Sequence, residues 1–318
     1  MVTEYKWLPT ECAPRKCPMQ IIKGDFTYKN GAAVYIPDSR LVFNGWGNKG
    51  SIHLVGEEVK PLPDKLSIKW FSFLENKFYE FESDLPKEKI NKLFAQGFIS
   101  PTTNEKATYG YLLVGLAPYG TVALWLLGEK ITTLVEIFKG TQIEDEWDTL
   151  IKNKEMPRTL FVQQKLEQAM EKTEIVAIRK NGISDGIWDK RYTEHHNWDI
   201  NVVTTNIENL AISIWYYNGE KEFYLINDIQ GIFDEPKPIP AKLFVRWTNT
   251  VQKIYRTEIT FDEEEIFNAF AEVISKSEKG HLAMQLMIND EDKSVKVRLI
   301  NEKYFLELVK SINNSYSS

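Results

Sequence analysis

The chain has 318 residues, of which 43% are hydrophobic and 26% charged; these are globular values that exclude an intrinsically disordered protein. Its formal net charge of -6 argues against nucleic acid as a partner, because no domain-wide basic face is implied. Two cysteines are too few for a disulfide scaffold. No run of residues reaches the roughly 18 apolar positions of a membrane-spanning helix, so we predict no transmembrane segment.

A stretch in the first half of the chain recurs in the second half. Residues 61–94 read PLPDKLSIKWFSFLENKFYEFESDLPKEKINKLF, and residues 238–270 read PIPAKLFVRWTNTVQKIYRTEITFDEEEIFNAF. The matched positions are Pro61, Pro63, Lys65, Leu66, Trp70, Tyr79, Ile90 and Phe94 with Pro238, Pro240, Lys242, Leu243, Trp247, Tyr255, Ile266 and Phe270. This repetition predicts two copies of one unit, spanning residues 1–141 and 174–318, with a helical connector over residues 142–173.

Hairpin and helix patterns within the copies set the predicted fold class. Asn30-Gly31 lies between two β-prone runs and predicts a hairpin with a type I′ turn. Alternation over Leu66–Phe73 predicts a strand with one buried face. Pro86 begins a run with apolar side chains at helical spacing, which predicts a helix. We therefore expect an α+β fold with two related lobes, each a mostly antiparallel sheet with a packed helix.

The rest of the chain gives weaker patterns. Residues 157–172 predict the helix of the connector, and Ile175–Arg179 is interpreted as a strand that opens the second copy. Thr260 or Asp262 is expected to begin the second copy's helix. The last six residues, NNSYSS, are interpreted as a frayed polar tail.

The glycine-rich segment Gly45–Gly50 matches the dinucleotide-binding pattern GxGxxG, but the residues after it predict a strand where that site needs a helix. We interpret it as a β-turn and predict no cofactor. Trp46, between glycines in this loop, is expected to be exposed and available for binding, as are its neighbours Asn48 and Lys49. In the second copy the candidates are the run Trp215-Tyr216-Tyr217.

Catalytic and metal-binding patterns are weak. Ser184 lies in GISDG, which matches the GxSxG of serine hydrolases, but the segment after it is a poor helix and no βα alternation surrounds it. His195 and His196 would be its candidate partners. They are also the only histidine cluster, without the spacing or cysteine partners of a metal site. We predict surface histidines, no catalytic residues and no metal.

The cysteines and the N-terminus bear on the compartment. Cys12 and Cys17 are close enough in sequence for a local disulfide in an oxidising compartment, and free thiols are expected in a cytoplasmic protein. The opening MVTEYKW lacks the basic and apolar regions of a signal peptide. We expect a cytoplasmic protein, or a periplasmic or lipid-anchored one if a leader has been removed.

Several segments of the first copy resemble a bacterial family, the domain of unknown function numbered 2931. These are Tyr5–Glu11, Pro18-Met19, Gly24-Asp25, Asn44–Gly47, Pro61–Pro63, Ile68–Ser72, Lys77–Tyr79 and Leu85–Phe94. The resemblance covers roughly the first 140 residues, and it implies an envelope-associated or cytoplasmic protein without assigned catalytic residues. Such domains sometimes accompany antibacterial toxin genes.

Three functions follow as hypotheses. The first is a non-enzymatic binding protein, an immunity-type inhibitor whose acidic charge would suit a basic toxin. The second is a carbohydrate- or small-ligand-binding protein that uses the exposed aromatics named above. The third and weakest is a serine hydrolase at Ser184.

Overall fold

The computed structural model describes residues 4–53, 57–151, 155–204, 207–226, 235–289 and 294–317. The fold is α+β, with mostly antiparallel sheets and four α-helices among the described residues. No helix in these ranges is long and apolar enough to span a membrane. The chain divides into two compact units, Met1–Asp189 and Lys190–Ser318.

The first unit contains fourteen short strands, three α-helices and one 3-10 turn in its described ranges. Its strands are β1 (Glu4–Lys6), β2 (Leu8–Cys12), β3 (Met19–Thr27), β4 (Ala33–Tyr35), β5 (Leu41–Val42), β6 (Val59–Pro61), β7 (Lys65–Ser72), β8 (Lys77–Asp84), β9 (Phe98–Ile99), β10 (Lys106–Ala107), β11 (Tyr111–Ala117), β12 (Thr121–Leu127), β13 (Thr132–Lys139) and β14 (Thr141–Ile143). Its helices are α1 (Lys87–Gln96), α2 (Arg158–Ala169) and α3 (Lys172–Asn181), and the 3-10 turn is Trp147–Leu150.

Two main sheets form the first unit. One is antiparallel in the order β14-β8-β7-β3-β4, with β5 also paired to β3. In the other, β2 runs parallel to β11, and β11, β12 and β13 continue antiparallel. The pairs β1-β6 and β9-β10 are small additions. The helix predicted from Ile90 and Phe94 is α1, and both side chains are buried.

Helices α2 and α3 cover one face of the first unit's antiparallel sheet. Phe71, Phe73 and Phe78 form a cluster with Leu166 and Ile175 from the two helices. Burying large aromatic side chains stabilises this face by roughly 2 kcal/mol per ring. The predicted connector helices therefore belong to the first unit's core.

The second unit has fewer described elements than the first. Its described elements are a 3-10 turn (Arg191–Thr193), β15 (Asn197–Thr204), β16 (Ile207–Tyr216), β17 (Lys221–Ile226), β18 (Pro240–Asn249), β19 (Ile254–Thr260), α4 (Glu263–Ser275), β20 (His281–Asn289), β21 (Ser294–Ile300), β22 (Phe305–Glu307) and β23 (Ile312–Ser317). One sheet has the order β17-β16-β18-β19-β23 and is antiparallel. In the other, β15 runs parallel to β20, and β20, β21 and β22 continue antiparallel. Helix α4 begins after Asp262, as predicted, and its buried side chains join one core cluster with side chains of both sheets.

Three local predictions are wrong. Ile175–Arg179 is part of helix α3, because Glu171 and Glu174 form a capping box that begins a helix there. The tail is not frayed, since Ile312–Ser317 pairs with β19 as β23. The Asn30-Gly31 hairpin forms, but only Gly31 has a positive φ, so its turn is not type I′. The predicted limits of the two copies stay a prediction.

Candidate functional site

The predicted binding loop lies along the outer edge of β2. We call residues 44–51 the strap. The Gly45 N–H donates to the Ala13 carbonyl at 2.9 Å, and the Gly50 N–H donates to Thr10 Oγ1 at 3.0 Å. The Ser51 N–H donates to Glu11 Oε1 at 2.9 Å. The strap is therefore held against β2 by the side chains of Thr10 and Glu11 and by the Ala13 carbonyl just beyond the strand.

Backbone geometry explains the glycines of the strap. Gly45 and Gly47 have φ values of 104° and 71°, in the region that side chains disfavour. At Gly50, a Cβ would lie only 2.3 Å from the Glu11 carbonyl oxygen, so the close approach to β2 requires glycine. The described residues that follow the loop, 51–53 and 57–61, contain no helix. The GxGxxG pattern therefore serves the packing of the strap on β2, and its geometry does not match a nucleotide-binding loop.

Under the strap lies a buried carboxyl group. Glu11 is 3% exposed, and its Oε2 has no hydrogen-bond partner among the described residues. Burial raises the pKa of Glu11 from 4.5 to about 7, against the opposing effects of the Ser51 hydrogen bond and the positive charge of Arg40. Asn44 Oδ1 and Trp46 Nε1 in the same strap are also buried without a partner in the described part of the chain. Sequence reasoning missed Glu11. A glutamate on an otherwise buried strand is a pattern that could have identified it as a candidate site residue.

Trp46 is not the exposed aromatic that the sequence predicted. Its ring is half-buried and meets the ring of Trp125 edge to face, with centroids 4.7 Å apart. It packs on the cluster that includes Cys12 and Leu113. Of its neighbours, Lys49 is exposed with its Nζ 4.5 Å from the Tyr111 ring centroid. Binding by Trp46, Asn48 and Lys49 stays a prediction. The Trp46 ring does not support it, because this ring is half-buried and packed on Trp125.

Asn48 holds the strap in shape. The Asn44 side-chain amide donates to the Asn48 carbonyl at 2.7 Å, and the Asn48 amide donates back to the Asn44 carbonyl at 3.3 Å. The Asn48 N–H also donates to the Gly45 carbonyl at 3.1 Å. These bonds give Asn48 a structural role within the loop.

The three aromatic candidates of the second unit are engaged with their own neighbours. The Trp215 ring lies 4.9 Å from that of Phe244, and Lys221 Nζ lies 4.1 Å from the Trp215 centroid. Tyr216 is buried, and its hydroxyl donates to Glu222. Tyr217 contacts the rings of Tyr192 and Phe267, each with its centroid 5.1 Å away. The structure does not bring these residues together as an open platform for a sugar.

A groove in the first unit is a site that the sequence did not predict. We call it the Tyr28 groove; it has a volume of about 640 Å³. It is lined by Thr27, Tyr28, Lys29, Leu62, Asp64, Lys65, Asp84, Leu85, Lys87, Glu88 and Asn91. These residues come from the β3–β4 turn, the start of β7, the end of β8 and the first turns of α1.

A carboxyl group and a hydroxyl group define the chemistry of the groove. Asp64 accepts hydrogen bonds from Lys87 Nζ at 2.7 Å and from the Lys29 N–H at 3.0 Å, which lower its pKa. The Tyr28 hydroxyl is buried without a partner in the described part of the chain. Burial and the nearby Asp64 charge raise the pKa of Tyr28 to about 12, so the hydroxyl is a neutral donor.

The hydrolase motif lacks its structural context. Ser184 is exposed in a run that follows helix α3 and leads into turns. A nucleophile elbow instead requires a strand before it and a helix after it. His196 is half-buried against Phe270, and burial lowers its pKa. His195 is exposed, with Nδ1 2.7 Å from the Thr193 carbonyl.

Metal and disulfide sites are not formed by the described residues. Among them, no group of three or more His, Cys, Asp or Glu side chains is placed to hold a metal ion. Cys12 and Cys17 are both buried, and no disulfide joins them. Burial raises the pKa of the Cys17 thiol to about 12, which keeps it protonated and unreactive.

Comparison with known proteins gives one match. The model of a family described as protein of unknown function, DUF2931, matches residues 2–183, which is more than half of the chain. The matched range contains β2, the strap and the Tyr28 groove. No curated protein and no solved structure matches the chain.

Proposed function

Because this chain belongs to the DUF2931 family of proteins of unknown function, we propose its function from its own geometry. It is a non-enzymatic binding protein, and its Tyr28 groove receives a polypeptide segment of a protein partner. The observation that carries the proposal is the groove itself, which charged side chains of both signs line beside Tyr28.

The lining of the groove suits a polypeptide. Three lysines and three acidic side chains line it, so both donors and acceptors are available along its length. Peptide groups and polar side chains present the same mixture of donors and acceptors. Leu62 and Leu85 add apolar surface at its base. Pockets with a few placed polar groups on an apolar floor are typical of ligand sites.

We also propose that the chain contains two copies of one unit. This repeat identifies a counterpart of the groove in the second unit. In each unit a parallel pair, β2-β11 or β15-β20, continues antiparallel. Trp7 Nε1 donates to the Pro61 carbonyl at 3.2 Å, and Trp198 Nε1 donates to the Pro238 carbonyl at 3.3 Å. These agreements support the repeat that the sequence predicted.

The turn beside the groove has a counterpart too. Tyr28-Lys29-Asn30-Gly31 and Tyr216-Tyr217-Asn218-Gly219 close the same kind of hairpin, in which the glycine N–H donates to the tyrosine carbonyl. In both turns the asparagine Oδ1 accepts from the backbone N–H two residues later, at 3.0 Å. Tyr217 therefore stands where Lys29 stands in the first unit. Binding by Trp215, Tyr216 and Tyr217 stays a prediction.

The counterpart of the groove is filled by the chain itself. Tyr192 packs on Tyr217 and on Phe267 of α4. Arg191 pairs with Glu263 and Glu264, at 3.2 Å each, and its guanidinium lies 4.2 Å from the Phe267 centroid. A short polypeptide segment is thus the occupant of this position in the second unit. By analogy, a polypeptide segment of a partner is the occupant that we propose for the first.

An inhibitor of a basic enzyme, as in an immunity protein, is the specific form of this function. The net charge of -6 supports it, since opposite charge accelerates association with a basic target. The carbohydrate alternative loses its support because the candidate rings are packed. The hydrolase alternative loses its support because Ser184 lacks the elbow geometry.

The test is affinity capture with the full chain from a lysate of the native organism, read by quantitative mass spectrometry. We call K29Y with N91F the filled variant, because it puts into the groove the bulky side chains that stand at the equivalent positions, Tyr217 and Phe267, of the second unit. We expect one stoichiometric partner with the parent chain and about tenfold less with the filled variant. The matched control, K106Y with Q96F, makes similar changes at exposed positions outside the groove.

Equal capture by the parent and the filled variant would refute the groove as the binding site. Turnover of a substrate by the pure chain would refute the non-enzymatic function. The expected location, cytoplasmic or else periplasmic or lipid-anchored, and the expected absence of a nucleic-acid partner stay predictions.

A further inference from the structure

One sheet face of the second unit has several exposed side chains among the described residues, and the proposed groove does not use it. In an antiparallel sheet, residues directly opposite each other point to the same side. The register of β17-β16-β18-β19-β23 places three rows on the side away from the core. The rows are Leu225, Ala211, Arg246, Arg256 and Tyr316; Phe223, Ser213, Phe244, Glu258 and Asn314; and Lys221, Trp215, Lys242, Thr260 and Ile312. We call these residues the cationic face.

The opposite side of the same sheet is the core. Ile212, Val245 and Thr257 are buried in one inner row, and Leu243 and Ile259 in another. Leu225, Arg246, Arg256 and Tyr316 on the outer rows are exposed. The face therefore combines apolar and aromatic surface with accessible charge.

Charge on this face has the opposite sign to the chain as a whole. It carries four cationic side chains and one carboxylate, Glu258, which pairs with Lys242 at 2.5 Å. Arg246 and Arg256 stand directly opposite each other, and neither makes an ion pair with a described residue. Like charges in directly opposite positions destabilise a sheet, so the pair costs stability unless an anion lies across it.

The first unit shows what lies across the corresponding position. Lys69 precedes Trp70 on β7, as Arg246 precedes Trp247 on β18, and both tryptophans face the equivalent tyrosine of the next strand. Lys69 Nζ pairs with the Asp145 carboxylate at 2.5 Å. Asp145 belongs to an acidic segment, residues 144–151, that follows β14 and carries Trp147 and Leu150 into the helix-covered cluster. An acidic, partly apolar segment thus occupies this position in the first unit.

We propose that the cationic face binds an acidic, amphipathic polypeptide segment of a partner, with carboxylates on Arg246 and Arg256. Its apolar side chains contact Leu225, Tyr316 and Ile312. Single-stranded nucleic acid is the less suitable occupant, because base stacking needs free ring faces. Here Lys221 and Phe244 contact the Trp215 ring.

The experiment measures fluorescence anisotropy with the full chain and a labelled synthetic peptide of residues 141–151, TQIEDEWDTLI. This peptide has four acidic residues, and its own position in the first unit is already filled, so added peptide reports on the second unit. A neutral version, TQIQNQWNTLI, is the control peptide. Labelled oligo-dT of about 15 nucleotides is the nucleic-acid probe, a length that a single-strand-binding groove accommodates.

We expect the acidic peptide to bind, the neutral peptide to bind about tenfold more weakly, and added salt to weaken binding. R246A with R256A should weaken binding about tenfold, whereas R246K with R256K should retain most of it. The matched control, R179A with K180A, removes two exposed cations from α3 and should leave binding unchanged. Thermal unfolding verifies that each variant is folded.

Several outcomes would overturn the proposal. These are absence of acidic-peptide binding, equal binding of the neutral peptide, and full binding by the alanine pair. Tight binding of oligo-dT that the acidic peptide does not displace would assign the face to nucleic acid instead.

Discussion

The indole of Trp70 stacks on the ring of Tyr79 with centroids 5.5 Å apart and planes inclined by 20°. In the second unit, Trp247 stacks on Tyr255 at 5.5 Å and 27°. Both tryptophans are fully buried, and neither indole N–H has a partner among the described residues. Packing of the buried, stacked indole ring therefore contributes more to stability than the unpaired N–H costs at each position.

This relationship predicts the response to truncation. Trp70→Ala should lower the free energy of unfolding by about 3–5 kcal/mol, because a large buried ring is lost and a cavity remains. Trp247→Ala should have a similar effect in the second unit. The measurement is urea unfolding followed by circular dichroism. A loss below about 1 kcal/mol at either position would contradict a core role.

Glu11 should make stability depend on pH. Below pH 4.5 its carboxyl is protonated in both the folded and unfolded chain; between 4.5 and about 7 only the folded chain keeps the proton. In this window the folded chain binds more protons than the unfolded chain. The contribution of Glu11 to the free energy of unfolding therefore falls as pH rises through the window, by roughly 3 kcal/mol in all.

Glu11→Gln removes this titration while preserving an acceptor for the Ser51 N–H. We expect the variant to gain stability relative to the parent as pH rises from about 5 to about 8, measured by urea unfolding across that range. Glu80→Gln, at an exposed position, is the control and should follow the parent. Parallel curves for the parent and Glu11→Gln would show that Glu11 does not titrate in this window.

The close approach of the strap to β2 predicts a difference between two glycines. Gly50→Ala should cost at least about 2 kcal/mol, because its Cβ would lie 2.3 Å from a carbonyl oxygen and the strap must move. Gly31→Ala meets no atom within 4 Å and should cost only about 1 kcal/mol, from its positive φ alone. Thermal unfolding compares the two. Equal losses would mean that the strap is not tightly packed.

The cap of α4 gives a smaller, separate prediction. Asp262 accepts a hydrogen bond from the Glu265 N–H at 2.9 Å, and Asp262→Ala should cost about 1 kcal/mol. Asp262→Asn keeps the acceptor and should recover most of that loss. The measurement is again urea unfolding. Equal stability of the alanine variant and the parent would show that the cap contributes nothing.

The sequence predicts the sheets and both packed helices well, because strand alternation and helical spacing are local patterns. Leu66, Ile68 and Trp70 alternate along β7 and are buried as expected. At Ile175, however, a short apolar run fits a strand or a helix equally, and the deciding capping box at Glu171 and Glu174 is a weaker pattern.

The candidate site was harder to predict than the fold. Trp46 lies in a polar, glycine-rich loop, and nothing local reveals that Trp125, far along the chain, covers it. The Tyr28 groove likewise combines residues of four separate elements, so its shape depends on tertiary packing. The tail forms β23 because β19 offers an open edge, which outweighs the low strand propensity of its two asparagines.

The most direct test of the proposed function is photocrosslinking from inside the Tyr28 groove. A photoreactive phenylalanine analogue replaces Lys65, which lines the groove, and in a matched chain it replaces Lys106, which does not. After irradiation in lysate of the native organism, we predict one discrete protein adduct from the chain modified at Lys65 and none from the chain modified at Lys106. Indistinguishable adducts from both chains, or none from either, would contradict a partner bound in the groove.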